Sequence, residues 1–243
     1  MYLYIVCFFK RSFKDSFGYI TVIVYKKKAK YGMTTFTILL NGDLFITDRL
    51  LNQIQNSRVI AADGGMRHAA VLNVMPELWL GDFDSSDQTL IDKYSHVPRE
   101  VFPSDKDMTD SALACERALQ KGAKKLILCG ALGGERSDHS LSHMTQALMM
   151  AEKGISVLLT SGLEEGWPVV PKLALYDLPQ ECLFSLIGFS DLQGLTLEGV
   201  KWPICDKNVS FGSSLTLSNR ICGTFSCHLG SGKAILLASV PIP

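Results

Sequence analysis

The residues best suited to chemistry lie in two short acidic stretches, Gly81-Asp82-Phe83-Asp84-Ser85 and Asp105-Lys106-Asp107-Met108-Thr109-Asp110. Asp82 and Asp84 are two apart, and in an extended segment such residues face the same side. Asp107 and Asp110 are three apart across an expected helix start, so they share a face. Carboxylates in this pattern are hard oxygen ligands suited to Mg²⁺, which takes one or two of them together with substrate phosphates. Lys106 is placed to hold a phosphate or to neutralise its acidic neighbours. The alternative for both stretches is helix capping, since Asp and Ser cap N-termini and acids there complement the helix dipole.

Two further loops offer contacts to an anion. In Asp63-Gly64-Gly65 the glycines let the backbone approach a ligand and leave N–H groups free to bind it; a tight turn is the alternative. In Gly130 to His139 the glycines permit close approach to phosphate. Arg136 can neutralise transferring charge there, and Asp138 can orient Arg136 or a ligand hydroxyl. His139 is expected to cap or pack the following helix. Gly230-Ser231-Gly232-Lys233 lacks the spacing of a phosphate-binding P-loop and reads as a hairpin turn.

These loops follow apolar runs that read as buried strands: 35–40, 58–62, 78–80, 100–102, 125–129 and 155–160. Helices are expected between them, capped by Thr47 and running to about Gln55, then at 66–72, 86–94, 109–121 and 139–153. Strands alternating with helices imply a mainly parallel sheet covered on both faces, a three-layer α/β domain. Such sheets bind ligands beyond the carboxyl ends of their strands. After Ser161 prolines punctuate the chain, and short runs recur at 173–176, 182–187, 195–197, 214–217, 223–229 and 235–240. These suggest an antiparallel β-sandwich. The expected organisation is an extension over 1–32, an α/β catalytic domain over 33–161 and a β-sandwich over 172–243.

The chain has 243 residues and no formal net charge, but the charge is unevenly spread. Residues 1–32 carry seven Lys/Arg and one Asp, a balance of +6; the remainder carries 17 basic and 23 acidic residues, a balance of −6. A mildly acidic body without a basic stripe argues against nucleic acid as the main ligand. The apolar start, Met1 to Phe9, is too short to span a bilayer and lacks the layout of an export signal. Met33 is expected to be the natural start, or residues 1–32 a dispensable extension; a basic, aromatic surface-binding arm is the alternative. Seven scattered cysteines suggest reduced thiols in the cytoplasm, with no membrane role. Cys222 and Cys227 read as strand residues and not as zinc ligands.

Taken in order, Asp63-Gly64-Gly65, Gly81-Asp82-Phe83-Asp84-Ser85, Asp105-Lys106-Asp107-x-Thr109-Asp110, the Gly-Gly…Arg…Asp-His loop and Gly212-Ser213-Ser214-Leu215-x-Leu217-Ser218-Asn219 resemble the bacterial type of thiamine pyrophosphokinase. The resemblance spans roughly residues 35–240. It implies an enzyme that transfers pyrophosphate from ATP to the hydroxyl of thiamine, and a homodimer with its sites at the subunit interface. It also implies Mg²⁺ on Asp82, Asp84 and Asp110, with Asp63 near the reacting end. Gly64, Gly65, Lys106, Thr109, Arg136 and Asp138 would then serve ATP and its phosphates. Ser218 and Asn219 would recognise thiamine, and Trp202 would stack on a thiamine ring or else sit in the sandwich core. The Gly-rich loop is one residue longer than is usual in the family, Glu135 being extra, and His143 stands where the family often has Asn. Two other readings remain: a Mg²⁺-dependent phosphatase or nucleotide hydrolase with Asp82 as nucleophile, and a non-catalytic thiamine- or nucleotide-binding regulator.

Overall fold

The computed structural model describes residues 34–83, 87–103, 105 and 107–240. Six segments form parallel strands: β1 (Thr35–Leu39), β2 (Arg58–Ala62), β3 (Leu78–Gly81), β4 (Arg99–Val101), β5 (Lys125–Cys129) and β6 (Ser156–Thr160). They pair in the order β4-β3-β2-β1-β5-β6. The order reverses between β1 and β5, so the crevice expected of such sheets opens beyond those two strands.

Apart from the edge strand β4, which is largely exposed, both faces of this sheet are buried, and the sequence runs are apolar for that reason. On one face Ile38, Ile60, Leu80 and Leu128 pack beneath α4 (Asp110–Gln120) and α5 (Ser137–Glu152). On the other, Leu39, Ala61, Trp79 and Ile127 meet α1 (Asp48–Ile54), α2 (His68–Val71) and the segment around α3 (Gln88–Lys93). The three layers expected of the N-terminal region are present. Thr47 caps α1 by accepting from the Leu50 N–H at 3.1 Å, a contact that contributes about 1 kcal/mol. Asp87 caps α3 by accepting from Thr89 N–H at 3.0 Å. The expected helix at 66–72 begins earlier, as a 3₁₀ turn over Asp63–Arg67 that runs into α2.

The stretch read as a boundary contains a strand, β7 (Glu164–Val169), antiparallel to β6. Gly166 and Pro168 hide it, because both weaken a strand pattern. The sheet continues through β7 to β13 (Ala234–Ser239) and β9 (Leu183–Gly188). β12 (Asn219–Leu229) joins β9 only at Asn219 and Arg220, then turns to pair with β10 (Leu192–Val200) and β8 (Lys172–Leu175). β11 (Ile204–Val209) pairs with the far side of β10. Phe184, Leu186 and Leu236 from the first sheet share one core with Leu195, Leu197, Phe225 and Cys227 from the second. The C-terminal region is therefore antiparallel β structure with a core between two sheets.

Two readings of this region are corrected. Residues 214–217 form a turn and not a strand; the Thr216 hydroxyl donates to the Leu186 carbonyl at 2.6 Å, and Leu215 and Leu217 are exposed. The loop at 230–233 is not a hairpin, because β12 and β13, which it joins, lie on opposite sides of β9.

Candidate active site

β2 ends on Ala62 and is followed by Asp63, whose φ of +42° lies in the left-handed region. That conformation turns the chain into the 3₁₀ segment and leaves the Asp63 side chain at the strand end. β3 runs beside it and ends on Gly81, where a Cβ would come within 3.1 Å of Asp63 Cα and Cβ. Gly81 thus lets the two strand ends touch, which brings Asp82 next to Asp63. Asp110 arrives separately, as the first residue of α4. Carboxylate oxygens of Asp63, Asp82 and Asp110 all lie within 4.8 Å of one another, and each residue is half-buried.

Three carboxylates this close repel one another unless a cation sits among them. The donor set is all oxygen and partly shielded from water, and it fits a hard divalent ion such as Mg²⁺.

Asp84 and Lys106 lie outside the described residues. Asp105 and Asp107 are exposed. Gly64 and Gly65 are buried against the end of β1 and the loop after it: a Cβ on the first would meet the Asn41 side chain, and one on the second the Leu39 carbonyl oxygen. Close packing of the turn alone requires both glycines. The Thr109 hydroxyl accepts from Ala112 N–H at 3.2 Å, as an N-cap. Arg136 and Asp138 are exposed and form a two-pronged pair at 2.9 and 2.7 Å, and the guanidinium holds the Asp138 carboxyl well below the usual carboxylate range.

In the C-terminal region Asn219 is buried. Its amide oxygen accepts from the Trp202 N–H at 3.1 Å, and its amide nitrogen donates to the Trp202 carbonyl at 2.8 Å. Trp202 is 53% exposed, so it is not a core residue. Ser218 sits at φ +58° and its N–H donates to the Ser185 hydroxyl at 3.0 Å. Beside it lies a depression of about 220 Å³ lined by Ile187, Leu192, Val209, Thr216 and Leu217 among others.

The loop after β1 is held by Arg67 and His68. Arg67 donates to the carbonyls of Asn41 at 2.7 Å and Gly42 at 3.1 Å, and the His68 ring donates to that of Gly42 at 2.9 Å. Across the crevice, His143 Nδ1 donates to the Ala131 carbonyl at 3.0 Å and fixes the loop after β5. No residue pattern marks these backbone contacts; the only sequence signal is the position of Gly42 and Gly130 at the ends of β1 and β5.

Burial lowers the pKa of both His68 and His143, against the smaller raising effect of their bonds to Gly42 and Ala131. The folded state then takes up these protons less readily than the unfolded chain, whose histidines titrate near 6.5. Stability from this source is complete above that pH and is lost as pH falls below it. The thermal midpoint is expected to drop on acidification from about pH 7 to about pH 5, and His143→Asn to flatten that drop while keeping a donor for Ala131. Thermal melts across this range check it; an unaltered slope in the variant would remove His143 from the account.

Fold and site together define a class: a parallel α/β sheet with an acidic ligand edge, continued by an antiparallel β region. Residues 49–159 match the family model of the thiamin pyrophosphokinase catalytic domain, and residues 176–231 that of the thiamin pyrophosphokinase vitamin B1 binding domain. A thiamine pyrophosphokinase from Bacillus subtilis (strain 168) is 30% identical over 181 residues, covering 70% of this chain and 83% of that protein. The chain belongs to the thiamin pyrophosphokinase family. The fold agrees with the crystal structure of thiamine pyrophosphokinase from Bacillus subtilis, with a TM-score of 0.76 at 24% identity over 85% of this chain and 99% of that one. It agrees also with thiamin pyrophosphokinase from Candida albicans, with a TM-score of 0.71 at 16% identity over 85% of this chain and 90% of that one.

Proposed function

We propose that this chain transfers pyrophosphate from ATP to the hydroxyl of thiamine, releasing thiamine diphosphate and AMP. The observation that carries the reading is the convergence of Asp63 and Asp82, at two strand ends, with Asp110, at the start of α4, in a chain belonging to this family. Transfer of this kind asks a protein chiefly for positioning and charge stabilisation.

Asp82 and Asp110, with Asp84, hold Mg²⁺, and Asp63 stands near the reacting end. A bound Mg²⁺ supplies charge neutralisation for the triphosphate and for the departing AMP. Lys106 and Arg136 contact phosphates, and Arg136 exchanges its Asp138 partner for one. The Thr109 cap, together with Gly64 and Gly65, fixes backbone beside the nucleotide. Ser218 and Trp202 meet thiamine, and Asn219 acts by holding the Trp202 backbone. Catalysis belongs to residues 33–161, thiamine recognition to 172–243, and residues 1–32 are dispensable. The working unit is a homodimer with its sites between subunits; exposed Trp202, Phe211, Leu215 and Leu217 supply apolar surface for it. The enzyme acts in the cytoplasm: among the described residues no helix is long and apolar enough to cross a membrane, and six cysteines are unpaired.

Incubation with ATP, Mg²⁺ and thiamine tests the reading. AMP is expected in step with thiamine diphosphate, and excess chelator is expected to abolish ATP binding, because the bare acids repel the triphosphate. Phosphate release without thiamine would mark a hydrolase, binding without AMP a regulator, and undiminished ATP affinity in chelator would refute the metal role.

A further inference from the structure

We propose that Trp79 is a positioning residue that sets the Asp63 and Asp82 turns against each other; this rests on the reading of Asp82 as a metal ligand with Asp63 beside it. Trp79 is fully buried in β3, two residues before Gly81. Its indole Nε1 donates to the Asp63 carbonyl at 2.8 Å. The same ring meets Phe83 edge-on, with centroids 4.9 Å apart and planes at 69°. One side chain therefore touches both acid-bearing turns.

Those turns need holding. Asp63 and Phe83 both lie in the left-handed region, at φ +42° and +63°. Residues other than glycine stay there only where their surroundings over-determine them. At Asp63 the indole N–H fixes the carbonyl of the strained residue itself. At Phe83 the aromatic contact fixes the residue between Asp82 and Asp84. A leucine or isoleucine at 79 would fill much of the volume and would supply neither contact. The placement of the Asp82 carboxylate against Asp63, and hence its fit to the ion, depends on this indole.

Trp79→Phe removes the N–H and keeps a ring for Phe83; Phe83→Leu keeps the N–H and removes the ring contact. The full chain is titrated with Mn²⁺ in the presence of α,β-methylene-ATP, and free Mn²⁺ is read by electron paramagnetic resonance. The dissociation constant for Mn²⁺ is expected to rise about fivefold in Trp79→Phe, the worth of one hydrogen bond. A smaller rise is expected in Phe83→Leu, which carries the test should Trp79→Phe fail to fold. KM for thiamine should stay constant while kcat falls. Unchanged Mn²⁺ affinity in the folded variants, with only a lower thermal midpoint, would overturn the proposal and leave the metal site standing. If the unaltered protein itself fails to bind Mn²⁺, the metal reading falls and this proposal with it.

Discussion

Replacing Asp82 by asparagine is expected to cut turnover about a hundredfold or more, an increase of about 3 kcal/mol in the barrier, without loss of the fold. Asn keeps the shape of the side chain and one oxygen but removes the charge that draws a divalent ion. In the metal-free protein Asp82 stands among two other carboxylates, all within 4.8 Å. Asn keeps the volume of the side chain, so the variant should still melt as a cooperative unit without metal. In the unaltered protein Mg²⁺ with ATP should raise the midpoint by mass action, and in the variant that rise should shrink. Asp110→Asn should lose activity comparably but also lose about 0.3–1 kcal/mol of stability, because Asp110 sits in the first turn of α4. Steady-state AMP formation and melts with and without Mg²⁺ separate the two effects. Near-normal turnover of Asp82→Asn would take Asp82 out of the chemistry.

Asp82 and Asp110 could be picked out from sequence because each ends a run with its own signal, a buried strand before one and a helix start after the other. Their meeting with Asp63 was less legible. It depends on Gly81 admitting the Asp63 backbone and on the order in which β2 and β3 pair, and both are tertiary facts. Apart from the edge strand β4, the parallel strands were legible to within a residue or two, since burial on both faces leaves an unbroken apolar run. β11 was not, because most of Ile204–Val209 is exposed and carries no alternation. The turn at 214–217 misled for the opposite reason: its leucines alternate as a strand's would, yet they face solvent. At Asn219, for which the family resemblance implies thiamine recognition, the amide is engaged by the backbone of Trp202, a contact that no residue pattern marks.

The largest loss of stability is expected at a buried ion pair rather than among the acids of the site. Glu165 lies in β7 with its side chain 2% exposed. Arg49 of α1 meets it through Nε at 2.7 Å and Nη2 at 2.9 Å, and Gln53 Nε2 adds a third donor at 2.7 Å. Arg49 also donates to the Asp177 carbonyl at 2.6 Å, so one guanidinium ties α1 to β7 and to the segment leading into β9. Removing one member of such a pair strands a charge inside the protein, which typically costs about 3–5 kcal/mol. Arg49 is itself about a quarter exposed, so water can partly take its place, and the expected loss for Arg49→Met is about 2–3 kcal/mol. Replacing both partners should cost less than replacing Arg49 alone, because Arg49→Met with Glu165→Leu leaves no stranded charge and adds apolar surface. Urea denaturation of the unaltered protein, each single variant and the double variant closes the cycle. A double variant as unstable as the sum of its parts would mean that Arg49 and Glu165 act independently, and that the link between α1 and β7 comes from packing alone.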